Sequence, residues 1–195
     1  RYLLSSNIGE VMVMFFGVIL SGVINLVAEE YTGLIVPLLA TQILWINLVT
    51  DSGPALALGL EPADTDVMRR APRDPRSRVI DRAMWFEIFG IGLVMALATL
   101  AVMDWGLPKG LIAGRSGSVH YAQTLAFTTL VFAQLFNAFN ARSSDLSVFH
   151  HLFTNKWLWG AVAIAALLQI AVVYIPFLQR PFGTVPLDAV NWVVC

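Results

Sequence analysis

Five stretches of the sequence, near residues 2–28, 34–60, 83–103, 122–140 and 157–178, carry few or no charges over about twenty residues each. A hydrocarbon core about 30 Å thick needs that many apolar residues per helical crossing, since each helical residue advances about 1.5 Å. With no water in that layer, every backbone N–H and C=O must be satisfied internally, which a helix does unaided. The expected fold is therefore all-α, a polytopic transmembrane helical bundle of five full helices. A sixth apolar run near 188–195 is too short to cross. Composition agrees: 57% of the residues are hydrophobic and 13% charged, and the mean hydropathy is +0.72. The expected surroundings are the lipid bilayer, in a multi-pass integral membrane protein.

The placement of charge says more than its sum, which is −1. Between the second and third stretches, residues 61–82 hold six of the ten arginines, so this loop is expected on the cytoplasmic side. Pro62, Pro72 and Pro75 argue that it is extended, because proline removes a donor and biases its predecessor away from the helix. The turn Glu29-Glu30-Tyr31-Thr32-Gly33 then lies outside, residues 142–156 inside and 106–120 outside, with Lys109 and Arg115 pulling against that last placement. Nothing in the charge pattern suggests a nucleic-acid partner. The single cysteine, Cys195, excludes an internal disulfide or thiolate metal site. Arg1-Tyr2-Leu3-Leu4-Ser5 has no secretory-signal pattern, and both ends read as cuts in a longer protein.

Against this apolar background a few polar residues stand out. Ser5, Ser6, Asn7 and Glu10 lie in the first stretch, with Asn7 and Glu10 spaced to share a helix face. A carboxylate near the bilayer centre costs about 2.5–3.5 kcal/mol, so Glu10 needs either a partner or solvation near the cytoplasmic mouth. In the second stretch Asn47, Thr50 and Asp51 fall at i, i+3 and i+4, with no basic residue in the stretch to neutralise the acid. Ser52-Gly53-Pro54 follows at once and predicts that the helix unwinds there, as in transporters where freed carbonyls line an ion path, or else that it kinks for packing. The donors are all oxygens of mixed charge. Calcium takes about six to eight such ligands, magnesium gives up water reluctantly, and soft metals find no Cys or His on either face. Gln134, Asn137 and Asn140 recur on one side of the fourth stretch; Gln134 is placed to add a neutral ligand, while the other two equally suit helix–helix hydrogen bonding. His150 and His151 read as a solvated pair, the tryptophans near segment ends as an interfacial belt, and Trp45 as a packing residue.

Ser5-Ser6-Asn7-Ile8-Gly9-Glu10 and Gln42-Ile43-Leu44-Trp45-Ile46-Asn47-Leu48-Val49-Thr50-Asp51, followed by Pro54-Ala55-Leu56-Ala57-Leu58-Gly59, resemble the fifth and sixth membrane helices of P-type calcium pumps. The resemblance continues through Glu61-Pro62, Asp64, Asp66, Met68, Arg70, Pro72, Arg73 and Pro75, and through Phe136-Asn137-Ala138 in the eighth helix. It implies that Asn7 and Glu10, with Thr50 and Asp51, face one calcium position, and that Asn47 and Asp51 face a second completed by an absent fourth-helix glutamate. Gln134 departs from the sarcoplasmic-reticulum type, which has glutamate there, and matches the plasma-membrane type, which in turn lacks a glutamate at the position of Glu10. The mixture implies a bacterial relative, in a bacterial inner membrane. The family's aspartyl-phosphate chemistry, with ATP and magnesium, belongs to cytoplasmic domains outside this sequence, so the fragment alone should not hydrolyse ATP. Its expected partner is the missing N-terminal half of the same pump. Two other readings stay open: a non-hydrolytic cation channel or assembly module, and a pump for manganese or sodium.

Overall fold

The computed structural model describes residues 1–20, 36–61, 80–107, 110–112, 117–141 and 155–195. Helices α1 (Tyr2–Ile19), α2 (Ala40–Trp45), α3 (Ser52–Gly59), α4 (Arg82–Gly106), α5 (Val119–Asn140), α6 (Lys156–Tyr174), α7 (Pro176–Phe182) and α8 (Ala189–Val194) follow one another, and no strand occurs among the described residues. The all-α expectation is met. Three described helices, α1, α4 and α6, are long and apolar enough to cross a membrane. Most of the basic loop (62–79), the Glu29–Gly33 turn, Lys109, Arg115, His150 and His151 lie outside the described residues.

Short polar signals set where these helices begin. Asp81, Ser118 and Asn155 cap α4, α5 and α6, their side chains accepting the N–H groups of Met84 at 2.7 Å, Tyr121 at 3.2 Å and Leu158 at 3.0 Å. Each cap satisfies a backbone donor that the helix cannot, a contribution of about 1 kcal/mol. The fifth stretch stops at Tyr174 and not near 178, because Ile175 precedes Pro176 and takes an extended conformation (φ −83°, ψ 117°). Pro176 then opens α7 at a position needing no donor, and Gly183 closes it in the left-handed region at φ 59°.

The second stretch is not one helix that opens after its acid. α2 passes into a wide π-helical turn over Ile46–Thr50, and α3 resumes at Ser52 with Asp51 as its N-cap residue. The Asp51 N–H reaches back five residues to the Ile46 carbonyl at 2.9 Å. Pro54 therefore falls in the first turn of α3, where its missing N–H leaves no gap. The chain accommodates the proline by widening before Asp51 instead of unwinding at Ser52–Pro54, so that expectation is corrected.

α5 sits at the centre, buried along most of its length, and packs against α1, α3, α4, α6 and the segment Ile46–Thr50. α1 lies against α4 where Gly9 and Gly92 meet, and α4 turns back into α5 where Gly106 touches Ala122 and Leu125. Small residues suit this environment, because lipid removes the hydrophobic drive between helices and leaves close packing to hold them. Val13, Ile46, Ala96, Phe127 and Leu130 fill the interior, while Phe15, Leu48, Phe86 and Phe136 point outward as a lipid-facing surface requires. At one end Arg1 pairs with Glu87 at 3.2 Å and reaches the Asn140 carbonyl at 3.3 Å. At the other, Gln42 Nε2 donates to the Phe182 carbonyl at 2.9 Å and Gln123 Nε2 to the Val36 carbonyl at 2.8 Å. Trp45 packs edge-on against Phe182 at 5.1 Å, a packing residue as its depth in the stretch suggested.

Candidate cation site

The site assembles where α1, the π turn and α5 converge. On α1 the buried polar residues are Tyr2, Ser6 and Glu10, at i, i+4 and i+8, with Ser5 beside them. That spacing drifts by only about 40° per step, so the three form one stripe. Glu10 is the hub: Asn47 Nδ2 donates to its Oε2 at 2.6 Å and Gln134 Nε2 to its Oε1 at 2.9 Å. A carboxylate accepting from two amides has both oxygens engaged without any basic group nearby. Among the described residues the recorded ion pair is Arg1 with Glu87, so neither Glu10 nor Asp51 is neutralised by a cationic side chain.

Asp51 is fully buried. Its Oδ1 accepts the Tyr2 phenol at 2.9 Å, while Oδ2 has no hydrogen-bond partner among the described residues. Gln134 Oε1 is buried and likewise unpartnered there. Buried acceptors without donors are costly, about 1–3 kcal/mol each and more for a charged oxygen, and two of them here belong to side chains whose other atoms meet at the same stripe. Thr50 is buried and donates to its own helix, to the Ile46 carbonyl at 2.9 Å, which leaves its oxygen lone pairs available. The hydroxyl of Ser52 bonds the Asn47 carbonyl at 3.2 Å across the wide turn.

The structure thus gathers Glu10, Asn47 and Gln134 directly and brings Asp51 to the same α1 stripe through Tyr2. Asn7 is not gathered. It lies about 60° round the helix from Glu10, is exposed, and donates to its own Leu3 carbonyl at 2.7 Å. Asn137 belongs to helix pairing, its Nδ2 donating to Ser5 Oγ at 2.7 Å. Asn140 lies at the exposed end of α5. Among the described residues no three His, Cys, Asp or Glu side chains cluster, so any hard cation here would be held by two carboxylates and neutral oxygens.

The family model "Cation transporting ATPase, C-terminus" matches residues 35–195. The chain belongs to the cation-transporting ATPases. It is 38% identical over 197 residues to a calcium-transporting ATPase of Bacillus subtilis, covering 100% of this chain and 20% of that protein. It is 34% identical over 205 residues to calcium-transporting ATPase 1 of Bacillus cereus, covering 98% and 21%. To the endoplasmic reticulum calcium ATPase srcA of Aspergillus fumigatus it is 33% identical over 218 residues, again covering 98% and 21%. The chain spans about a fifth of the length of these curated relatives. The resemblance carried by the motifs around Glu10 and Asp51 is to this same family.

Two polar residues of this ATPase region escaped the motif reading. Tyr2 sits at the very start of α1 and reads in sequence as the edge of an apolar run; the signal was its i, i+8 spacing to Glu10. Asp104 is a third buried acid, but its two carboxylate oxygens accept the N–H groups of Leu111 at 3.0 Å and Ile112 at 2.7 Å. Its negative charge is satisfied by the loop that it caps.

Proposed function

We propose that this region is the cation-binding and translocating membrane part of an ATP-driven calcium pump, with Glu10 and Asp51 as charged ligands and Asn47, Thr50 and Gln134 as neutral ones. The observation that carries the reading is the Glu10 carboxylate, held by amides from the π turn and from α5 with no base paired to it among the described residues. Such a carboxylate is held in place by neutral donors, so that a bound cation is one means of offsetting its charge. Asn47 and Gln134 now turn N–H toward Glu10; half a turn of each amide presents oxygen instead, so the same side chains serve the carboxylate alone or a cation beside it. Asn7 belongs to the set only if a helix from elsewhere in the protein covers its exposed face and the apolar groove that Glu10 lines with Val11, Met14, Phe15 and Ile43. Such a helix would come from a part corresponding to the four-fifths of the Bacillus subtilis relative that this chain does not cover, where we also place the ATP- and magnesium-dependent chemistry. The two Bacillus relatives favour a bacterial plasma membrane over an internal one.

The test is Asp51→Asn and Glu10→Gln in the complete protein, reading calcium-dependent ATP hydrolysis and calcium uptake into vesicles. Each substitution keeps the shape and removes the charge. Loss of calcium activation in both variants is expected; normal half-saturation in either rejects its assignment. Running manganese and sodium beside calcium decides the ion, and uptake without hydrolysis in the unaltered protein would favour a passive channel.

A further inference from the structure

The stripe of α1 ends on Tyr2, whose phenol donates to Asp51 Oδ1 at 2.9 Å with both side chains buried. We infer that Tyr2 is a positioning residue for the cation site, its hydroxyl fixing one oxygen of Asp51 so that the other is presented to the cation. The inference rests on the reading of Asp51 as a ligand.

Three observations support it. First, the two oxygens of Asp51 are treated differently: Oδ1 is engaged by the phenol and Oδ2 has no partner among the described residues. A carboxylate held by one oxygen cannot spin about its last bond, so the free oxygen has a defined direction. Second, Tyr2 is itself held from several sides. Its ring packs with Ala57, Ala138 and Leu158, from α3, α5 and α6. Its carbonyl accepts Ser5 Oγ at 2.9 Å, and that oxygen accepts Asn137 Nδ2 at 2.7 Å. The preceding residue is clamped by Glu87 and the Asn140 carbonyl. The phenol is a fixed post, because moving it would disturb contacts to three other helices. Third, the bond is compatible with cation binding: a phenol donates one hydrogen, Oδ1 accepts it, and ligation through Oδ2 would use a different atom. Groups that orient metal ligands in this way lower the ordering cost of binding, and their loss weakens metal affinity by about ten- to a hundredfold.

The competing account is that the ring matters for packing and the hydroxyl takes the nearest acceptor. Tyr2→Phe in the complete protein separates the two, since it keeps the ring and deletes the donor. The expected result is a rise of about tenfold in the calcium concentration for half-maximal ATP hydrolysis. The maximal rate at saturating calcium and the ATP dependence stay as they were, while the thermal midpoint falls by no more than one buried acceptor left without its donor accounts for. A lowered thermal midpoint with unchanged half-saturation overturns the inference. Should Tyr2→Phe not fold, 3-fluorotyrosine at position 2 keeps the shape and strengthens the donor; half-saturation at lower calcium supports the inference, and an unchanged or higher value overturns it. Asp51→Asn is run in parallel. If it leaves calcium affinity normal, the ligand reading itself fails; if it abolishes activation while Tyr2→Phe changes nothing, only the role of Tyr2 fails.

Discussion

Gly92 of α4 rests on Gly9 of α1 so closely that a Cβ at position 92 would stand 3.1 Å from the Gly9 nitrogen and 2.9 Å from Ile8 Cγ2. Glu10 follows Gly9 directly, so this contact sets how near α4 lies to the helix carrying the hub of the site. Gly92→Ala should force the helices apart and destabilise the protein by about 1–3 kcal/mol. Gly90, about 160° round the helix from Gly92, has nothing within 4 Å of where a Cβ would stand. Gly90→Ala should be neutral or slightly stabilising, since alanine is the better helix former by about 1 kcal/mol. Thermal unfolding of the complete protein in detergent, the two variants side by side, checks the contrast.

Gln134 contributes no charge, yet its removal should be felt at Glu10. Gln134→Ala deletes the 2.9 Å donor to Glu10 Oε1 and leaves space in the middle of α5. Calcium activation of ATP hydrolysis should require about tenfold more calcium or greater. Gln134→Glu instead sets a second carboxylate against the first, and should make calcium activation more sensitive to protons competing for the pair. Calcium titrations of activity across a pH series read both effects.

Asn155 joins three places with one side chain. It caps α6 at Leu158, donates to the Ala57 carbonyl at 2.8 Å and reaches Glu61 at 2.6 Å. Asn155→Ala should cost about 1 kcal/mol for the cap and about 1–3 kcal/mol for the buried carbonyl left without its donor. Because the tie runs to α3 and not to the stripe on α1, thermal stability should fall while the calcium concentration for half-maximal activity holds.

Gly183 closes α7 at φ 59°, and a Cβ there would lie 2.8 Å from Leu39 Cδ1. Gly183→Ala should lower stability by about 1 kcal/mol or more, through backbone strain and through pushing α7 off the start of α2. Loss of the Trp45–Phe182 contact would be visible as a change in tryptophan fluorescence.

The apolar stretches made the helices legible, because length against bilayer thickness is a strong constraint and caps such as Asp81 and Ser118 sharpen the ends. Glu10, Asn47 and Gln134 were legible as a group, since an acid in an apolar stretch must be met by something and amides at helical spacing were at hand. The place of Asn7 was not. An i, i+3 pair shares a face only to within about 60°, and the closer i+4 neighbour, Ser6, takes the inward position. Nor was the conformation around Asp51 legible. Ser52-Gly53-Pro54 signals a local departure from the α-helix, but whether the chain opens or widens depends on where the next helix can start its first turn. Tyr2 escaped because tyrosine at a segment end has a bland explanation at the interface, and only its distance to Asp51 gives it another.

The wide turn over Ile46–Thr50 stores one residue more than the surrounding helix needs. That extra residue turns the chain after it by about 100° about the axis relative to an unbroken helix. Asn47 and Thr50 lie within that turn and Asp51 at its edge, so three of the polar side chains proposed as ligands face directions that an unbroken helix would not give them.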